Sequence, residues 1–219
     1  MDFGKFELVW VTNRQLSEDF FADVRRVAQG GKADKILLRE SDLPEHEYEN
    51  LARKTLEIIA ECDSGAQLVL HTHASVASKL GVGELHLPFA KFRALGGKRA
   101  VNLADLNLVK SGSVSADKDG ISGTYVPNLT QNLKIGVSVH SLDQALAAQD
   151  LGADYVVAGH IFDTPSHALE QGRGLKFLRE IREKLSIKTY AIGGINFENL
   201  DKIKDAGAAG AYMMRGFLG

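Results

Sequence analysis

Gly152-Ala153-Asp154-Tyr155-Val156-Val157-Ala158-Gly159-His160 reads as a helix stop, a tight turn, a short apolar strand and a polar strand end. Glycine takes the left-handed conformation that closes a helix, and the small residue after it lets the chain turn at once. A short continuous apolar run bounded by such signals suits a strand buried on both faces. The pattern recurs in near relatives. Gly31-Lys32-Ala33-Asp34, Gly81-Val82-Gly83-Glu84 and Gly207-Ala208-Ala209-Gly210 each precede another apolar run.

Working outward from these signals gives eight candidate strands: Glu7–Val11, Lys35–Leu38, Leu68–His71, Glu84–Leu87, Lys134–Val139, Tyr155–Ala158, Thr189–Ile192 and Ala211–Met214. Helical patterns lie between most of them. The clearest is Leu43–Glu61, with Leu51, Thr55, Ile58 and Ile59 along one face, Asp42 as the expected N-cap and Pro44 near the first helical position. Eight βα repeats in 219 residues predict an α/β protein, a single (β/α)8 TIM barrel over residues 1–219. One segment departs from the repeat. Lys91–Asn132 opens with a helix expected over Pro88–Leu95. It continues through Ser111-Gly112-Ser113 to Asp119-Gly120, which reads as an insertion within 91–132. A lid, a contact surface and a plain loop excursion remain open there.

Composition narrows the function classes. Apolar residues make up 44%, charged residues 25%, and the formal net charge is -2, so no basic field invites nucleic acid. No run approaches the ~18 apolar residues of a membrane span. The N-terminus lacks a basic segment followed by an apolar one, so a cytoplasmic location is expected, with no membrane partner. The lone Cys62, set between Glu61 and Asp63, reads as a packing residue. Homo-oligomerisation stays open.

In such a barrel the site forms at the C-terminal ends of the strands. Reading those ends gives Arg39-Glu40, His71-Thr72-His73, His86, Ser138-Val139-His140, Gly159-His160-Ile161-Phe162-Asp163-Thr164, Gly193-Gly194 and Met214-Arg215-Gly216. Glycines after strands seven and eight let backbone N–H groups approach an anion, and Arg215 adds charge. These residues are the phosphate candidates. Arg39 suits a second anion such as a carboxylate, or else a salt bridge to Glu40 or Glu47. His71 and His73 share a strand face, which with His86 leaves a metal site as a remote option.

Gly136-Val137-Ser138-Val139-His140-Ser141, Gly159-His160-Ile161-Phe162-Asp163-Thr164, Ala191-Ile192-Gly193-Gly194-Ile195 and Met213-Met214-Arg215-Gly216 together resemble the thiamin phosphate synthase/TenI superfamily. The likeness is strong over Lys134–Gly219, weaker over Glu7–Leu87 and absent over Lys91–Asn132. It implies a barrel handling a small phosphorylated heterocycle, a thiazole phosphate, in thiamin biosynthesis. Synthases join a pyrimidine pyrophosphate to the thiazole phosphate with magnesium. TenI-type proteins are thiazole tautomerases that use a histidine and no cofactor.

The chain departs from the synthase pattern where the metal would lie. Leu37-Leu38-Arg39-Glu40-Ser41 stands for Gln-X-Arg-Glu-Lys, His71-Thr72 for Asn-Asp, and Pro88-Phe89-Ala90-Lys91 for Gly-Gln-X-Asp. His167 replaces a lysine. Magnesium wants oxygen ligands, so the resemblance sits closer to the TenI branch, although Ser41 and Arg215 depart from that branch too. It implies an isomerase that aromatises a carboxythiazole phosphate. It also implies His140, which ends strand five, as the catalytic residue, and a histidine suits because its ordinary pKa lies near operating pH. His160 is an alternative base or a polariser, and a neutral His140 tied to a neighbouring loop is the plainer alternative. Arg39, His71, Ser138, His160, Thr164, Ser166, Gly193, Gly194, Met214, Arg215 and Gly216 complete the expected substrate site, with no metal. Thiamin phosphate synthase, which alone would bring magnesium, and a non-catalytic regulator or ligand-binding barrel are the competing readings.

Overall fold

The computed structural model describes residues 4–101, 133–165 and 168–218. Eight parallel strands close into a barrel in sequence order. They are β1 (Glu7–Val11), β2 (Lys35–Leu38), β3 (Gln67–His71), β4 (Glu84–Pro88), β5 (Lys134–Val139), β6 (Tyr155–Ala158), β7 (Lys188–Ile192) and β8 (Gly210–Met213). Around them run α1 (Phe20–Gln29), α2 (Glu45–Glu61), α3 (Ala74–Leu80), α4 (Phe89–Ala94), α5 (Leu142–Asp150), α6 (Gly174–Lys184) and α7 (Leu200–Asp205). A short 3-10 turn, Arg215–Phe217, follows β8. The expected strands agree to within one residue at either end. The four turn glycines, Gly31, Gly81, Gly152 and Gly207, all have positive φ. Beyond α4, most of the proposed 91–132 insertion lies outside the described residues.

Because strands alternate their faces, the barrel has two cores. The outward set, which includes Trp10, Ile36, Leu38, Leu70, Leu85, Leu87 and Ile135, packs against helix residues such as Val24, Tyr48, Ile58, Leu178 and Ile203. The inward set includes Val9, Val11, Leu37, Val69, Val157 and three tyrosines, Tyr155, Tyr190 and Tyr212.

Those tyrosines need missing side chains beside them. A Cβ on Gly136 would lie 2.0 Å from the Tyr155 ring, and one on Gly210 would lie 2.8 Å from the Tyr190 ring. Below them, at the N-terminal floor, Lys35 sits 3.0 Å from both Glu7 and Glu84, and Lys188 sits 2.9 Å from Glu7. Burial alone would lower the Lys35 pKa, but the two carboxylates outweigh it and raise it. The floor is therefore a closed network of paired charges.

One expected cap is corrected. Asp42 does not cap α2; Pro44 holds the N-cap position with no side-chain bond. The Asp42 carboxylate instead accepts from Arg14 Nη2 and ties the β1 loop to the β2 loop.

Candidate functional site at the C-terminal mouth

The β5 end presents His140. Its backbone N–H donates to Gln144 Oε1 at 2.8 Å, and Ser141 caps α5 through the Gln144 amide. Its ring Nδ1 lies 3.0 Å from the Gly159 carbonyl oxygen. A carbonyl only accepts, so Nδ1 carries a hydrogen, and in the neutral ring Nε2 keeps its lone pair. Among the described residues Nε2 has no partner, and the residue is exposed. Arg173 Nε–H donates to the same carbonyl at 3.1 Å, which fixes the acceptor in place. The expectation of a histidine tied to a neighbouring loop thus holds for one nitrogen only.

The β6 loop connects this histidine to the glycines. The Gly159-His160 peptide is cis, and His160 is 3% exposed with Nε2 3.2 Å from the Glu170 carbonyl oxygen. His160 therefore works inside the loop and does not stand in the open mouth. A Cβ on Gly193 would lie 2.3 Å from His160 Cβ, and one on Gly194 would lie 2.6 Å from the Asp163 carbonyl oxygen. Ile161 and Phe162 donate to the Ile192 and Gly193 carbonyls at 2.9 and 3.0 Å. Glycine at 193 and 194 thus lets two loops lie flush.

In the turn after β8, Gly216 abuts the loop after β7, since its Cβ would lie 3.3 Å from Asn196 Cα. Met214 is half-buried beside Asn13, and Arg215 is exposed. Thr164 lines an open depression of about 580 Å³ with Asp163, Pro165, Glu170 and Gln171, on the β6 loop rather than over His140. Ser166 and His167 lie outside the described residues.

The opposite side of the mouth is built from β1 to β4. Glu40 is buried and accepts from Thr12 Oγ1 at 2.6 Å and from the Arg14 amide at 3.1 Å. It is not Arg39's partner. Neither Glu40 nor Glu47 pairs with Arg39, whose side chain is exposed at the rim.

Tyr48 on α2, which the sequence reading passed over, donates to the Leu38 carbonyl at 2.7 Å and accepts from the His71 amide at 2.8 Å. It pins the ends of β2 and β3. His71 and His86 are buried, with rings 6.0 Å apart. Burial first, then Arg39 and Lys91 for His71, and burial first, then His71 and Arg39 for His86, push both pKa values down to about 3, so both rings are neutral. His73 turns away: its ring lies 4.3 Å from the Tyr48 ring, and it takes no part in a metal site with the other two.

Among the described residues, no cluster of three or more His, Cys, Asp or Glu side chains could hold a metal. At the ends of β2 to β4 the Glu40 carboxylate is already taken by Thr12 and the Arg14 amide, and the rest is a guanidinium, neutral imidazoles and the Lys91 ammonium, whose Nζ donates to the Thr72 carbonyl at 3.1 Å. Magnesium requires oxygen donors, so this donor set does not fit it.

A family model described as thiamine monophosphate synthase (TMP-TENI) matches residues 8–102 and 118–217. The chain belongs to this family. It is 28% identical over 222 residues to the thiamine-phosphate synthase of Syntrophomonas wolfei, covering 98% of this chain and 89% of that one. Over 91 residues it is 42% identical to the thiamine-phosphate synthase of Pyrococcus abyssi, covering 42% of this chain and 44% of that one. The solved thiamine phosphate pyrophosphorylase from Pyrococcus furiosus superposes with a TM-score of 0.70 at 26% identity, covering 96% of this chain and 86% of that one. The match supports an enzyme family of thiamin biosynthesis. The relatives' names favour the synthase, the second of the expected readings, and do not confirm the isomerase.

Proposed function

We propose that the protein is a thiazole tautomerase-like isomerase of thiamin biosynthesis, acting on a carboxythiazole phosphate. The observation that carries this is the state of His140: Nδ1–H is committed to the Gly159 carbonyl, and Nε2 of this exposed ring has no partner among the described residues. A bare, oriented imidazole nitrogen is what a proton-transfer step needs.

Nε2 takes the proton from the ring carbon that bears the carboxylate. The released electron pair closes the aromatic ring, and the exocyclic double bond moves with it. Nε2–H, on an exposed ring, exchanges its hydrogen with solvent, and the exocyclic carbon then takes a proton from it. Substrate and product have the same atoms, and the imidazole ends as it began. Aromatisation supplies the driving force, so the step needs no cofactor.

Gly193, Gly194 and the Met214–Gly216 turn would hold the phosphate, with Arg215, Thr164 and Ser166 adding donors. The contact of His160 with Gly193 and of Gly159 with His140 runs the cradle and the base along one loop. Arg39 would take the carboxylate from across the mouth.

The relatives' names support a second reading, thiamin phosphate synthase. One pair of assays separates the two. The isomerase converts the carboxythiazole phosphate without metal and makes no thiamin phosphate from the pyrimidine pyrophosphate and thiazole phosphate with magnesium. Thiamin phosphate formation in the second assay, with no isomerisation in the first, reverses the assignment. Ligand binding with no turnover in either assay leaves a binding barrel.

A further inference from the structure

His86 belongs to none of the roles assigned so far, yet it is buried at the heart of the mouth. It is 2% exposed and is boxed by the rings of Tyr155, Tyr212 and His71 at 6.2, 5.9 and 6.0 Å. Its Nε2 lies 2.7 Å from Ser138 Oγ on the neighbouring strand. Its Nδ1 is also buried and has no partner among the described residues. A neutral imidazole carries one hydrogen, so one nitrogen is a donor and the other a bare acceptor. Burying an unpaired N–H is the rarer and costlier arrangement; an under-used acceptor is better tolerated. The hydrogen therefore belongs on Nε2, and Nε2–H donates to Ser138 Oγ.

We propose that His86 is a positioning residue that makes Ser138 an obligate hydrogen-bond donor to a carboxylate on the ligand. A serine hydroxyl has one hydrogen and two lone pairs. With one lone pair occupied by His86, the hydroxyl hydrogen must seek an acceptor elsewhere. Ser138 is only half-buried, so its free side opens to the mouth. His140 follows Ser138 by two residues, just past Val139 at the end of the same strand. An anionic acceptor suits this place because the Arg39 charge reaches both His71 and His86. The identity of that carboxylate rests on the isomerase reading, whereas the hydrogen's place on His86 does not.

The test uses the whole protein with two probes, a carboxythiazole phosphate and the same thiazole phosphate without the carboxylate. Calorimetry on the wild type should show the carboxylated probe binding more tightly. Ser138→Ala and His86→Leu should each weaken that probe about tenfold or more, as expected for a hydrogen bond to a charged group. Neither should move the other probe. The double variant should be no weaker than Ser138→Ala, and His86→Gln, which keeps an N–H, should recover most of the loss. Fully additive losses, or an unchanged preference in His86→Leu, overturn the proposal.

Nitrogen NMR of wild-type His86 gives a second reading that needs no variant to fold and no probe to bind. Nε2 should appear protonated and Nδ1 bare from about pH 5 to about pH 8; the reverse tautomer overturns the proposal. Turnover is scored separately, so a protein that shows the binding preference without isomerising its ligand retains the His86 role and loses the catalytic one.

Discussion

The floor and the mouth of this barrel treat polar groups in opposite ways. At the floor, Lys35 is held between Glu7 and Glu84, and Glu7 also takes Lys188; above it, between floor and mouth, the Tyr155 and Tyr212 hydroxyls meet at 3.1 Å. The charges are matched there. At the mouth, His140 Nε2 and two buried ring nitrogens have no partners among the described residues, and Arg39 stands exposed. The floor uses polar chemistry to plug the barrel. The mouth leaves it unfinished, which a ligand can complete. Stability should therefore be concentrated at one end and function at the other.

The contrast breaks most strongly at the floor. Lys35→Met strands the buried Glu84 carboxylate and should cost about 3 to 5 kcal/mol of unfolding free energy by chemical denaturation. A loss below about 1 kcal/mol would mean that water reaches the floor.

His140→Ala should act the other way. It should lower the isomerisation rate by about 10^2-fold or more and leave the unfolding free energy within about 0.5 kcal/mol of wild type.

A pH series sharpens the mouth's share of stability. His71 and His86 titrate near 6.5 when unfolded and at about 3 when folded. The unfolded chain therefore binds more protons between those values, and stability falls as pH drops from about 6.5 toward about 3. Each ring contributes a slope of about 1.4 kcal/mol per pH unit. His71→Gln should remove one ring's share, and an unaltered slope would contradict the burial of that ring.

At the small end, Lys79→Ala removes an exposed pair with Glu49 and should shift stability by less than about 0.5 kcal/mol.

Much of the fold was legible because it rests on local signals. A glycine that must take positive φ, followed by a short β-branched run, fixes where a helix stops and a strand starts. Strand ends could be read the same way, so His140, Ser138 and the glycines of β7 and β8 could be found from spacing. What escaped depends on contacts between distant residues. Tyr48 looks like any apolar-face residue of α2, and only the fold shows its hydroxyl joining Leu38 to His71. Asp42 had the right residue type for a cap, but Arg14 claimed it. His160 sat beside a conspicuous motif, yet the loop turned its ring inward. Gly136 carries no sequence signal for its purpose, which is to leave room for a tyrosine from the next strand.

The most direct test follows the proton itself. Wild-type protein and His140→Ala are each given the carboxythiazole phosphate in deuterated water, without metal, and the product is read by proton NMR. The account predicts aromatic product from the wild type with solvent deuterium on the exocyclic carbon, and almost none from the variant. Equal conversion by both proteins would contradict it, as would no conversion by the wild type.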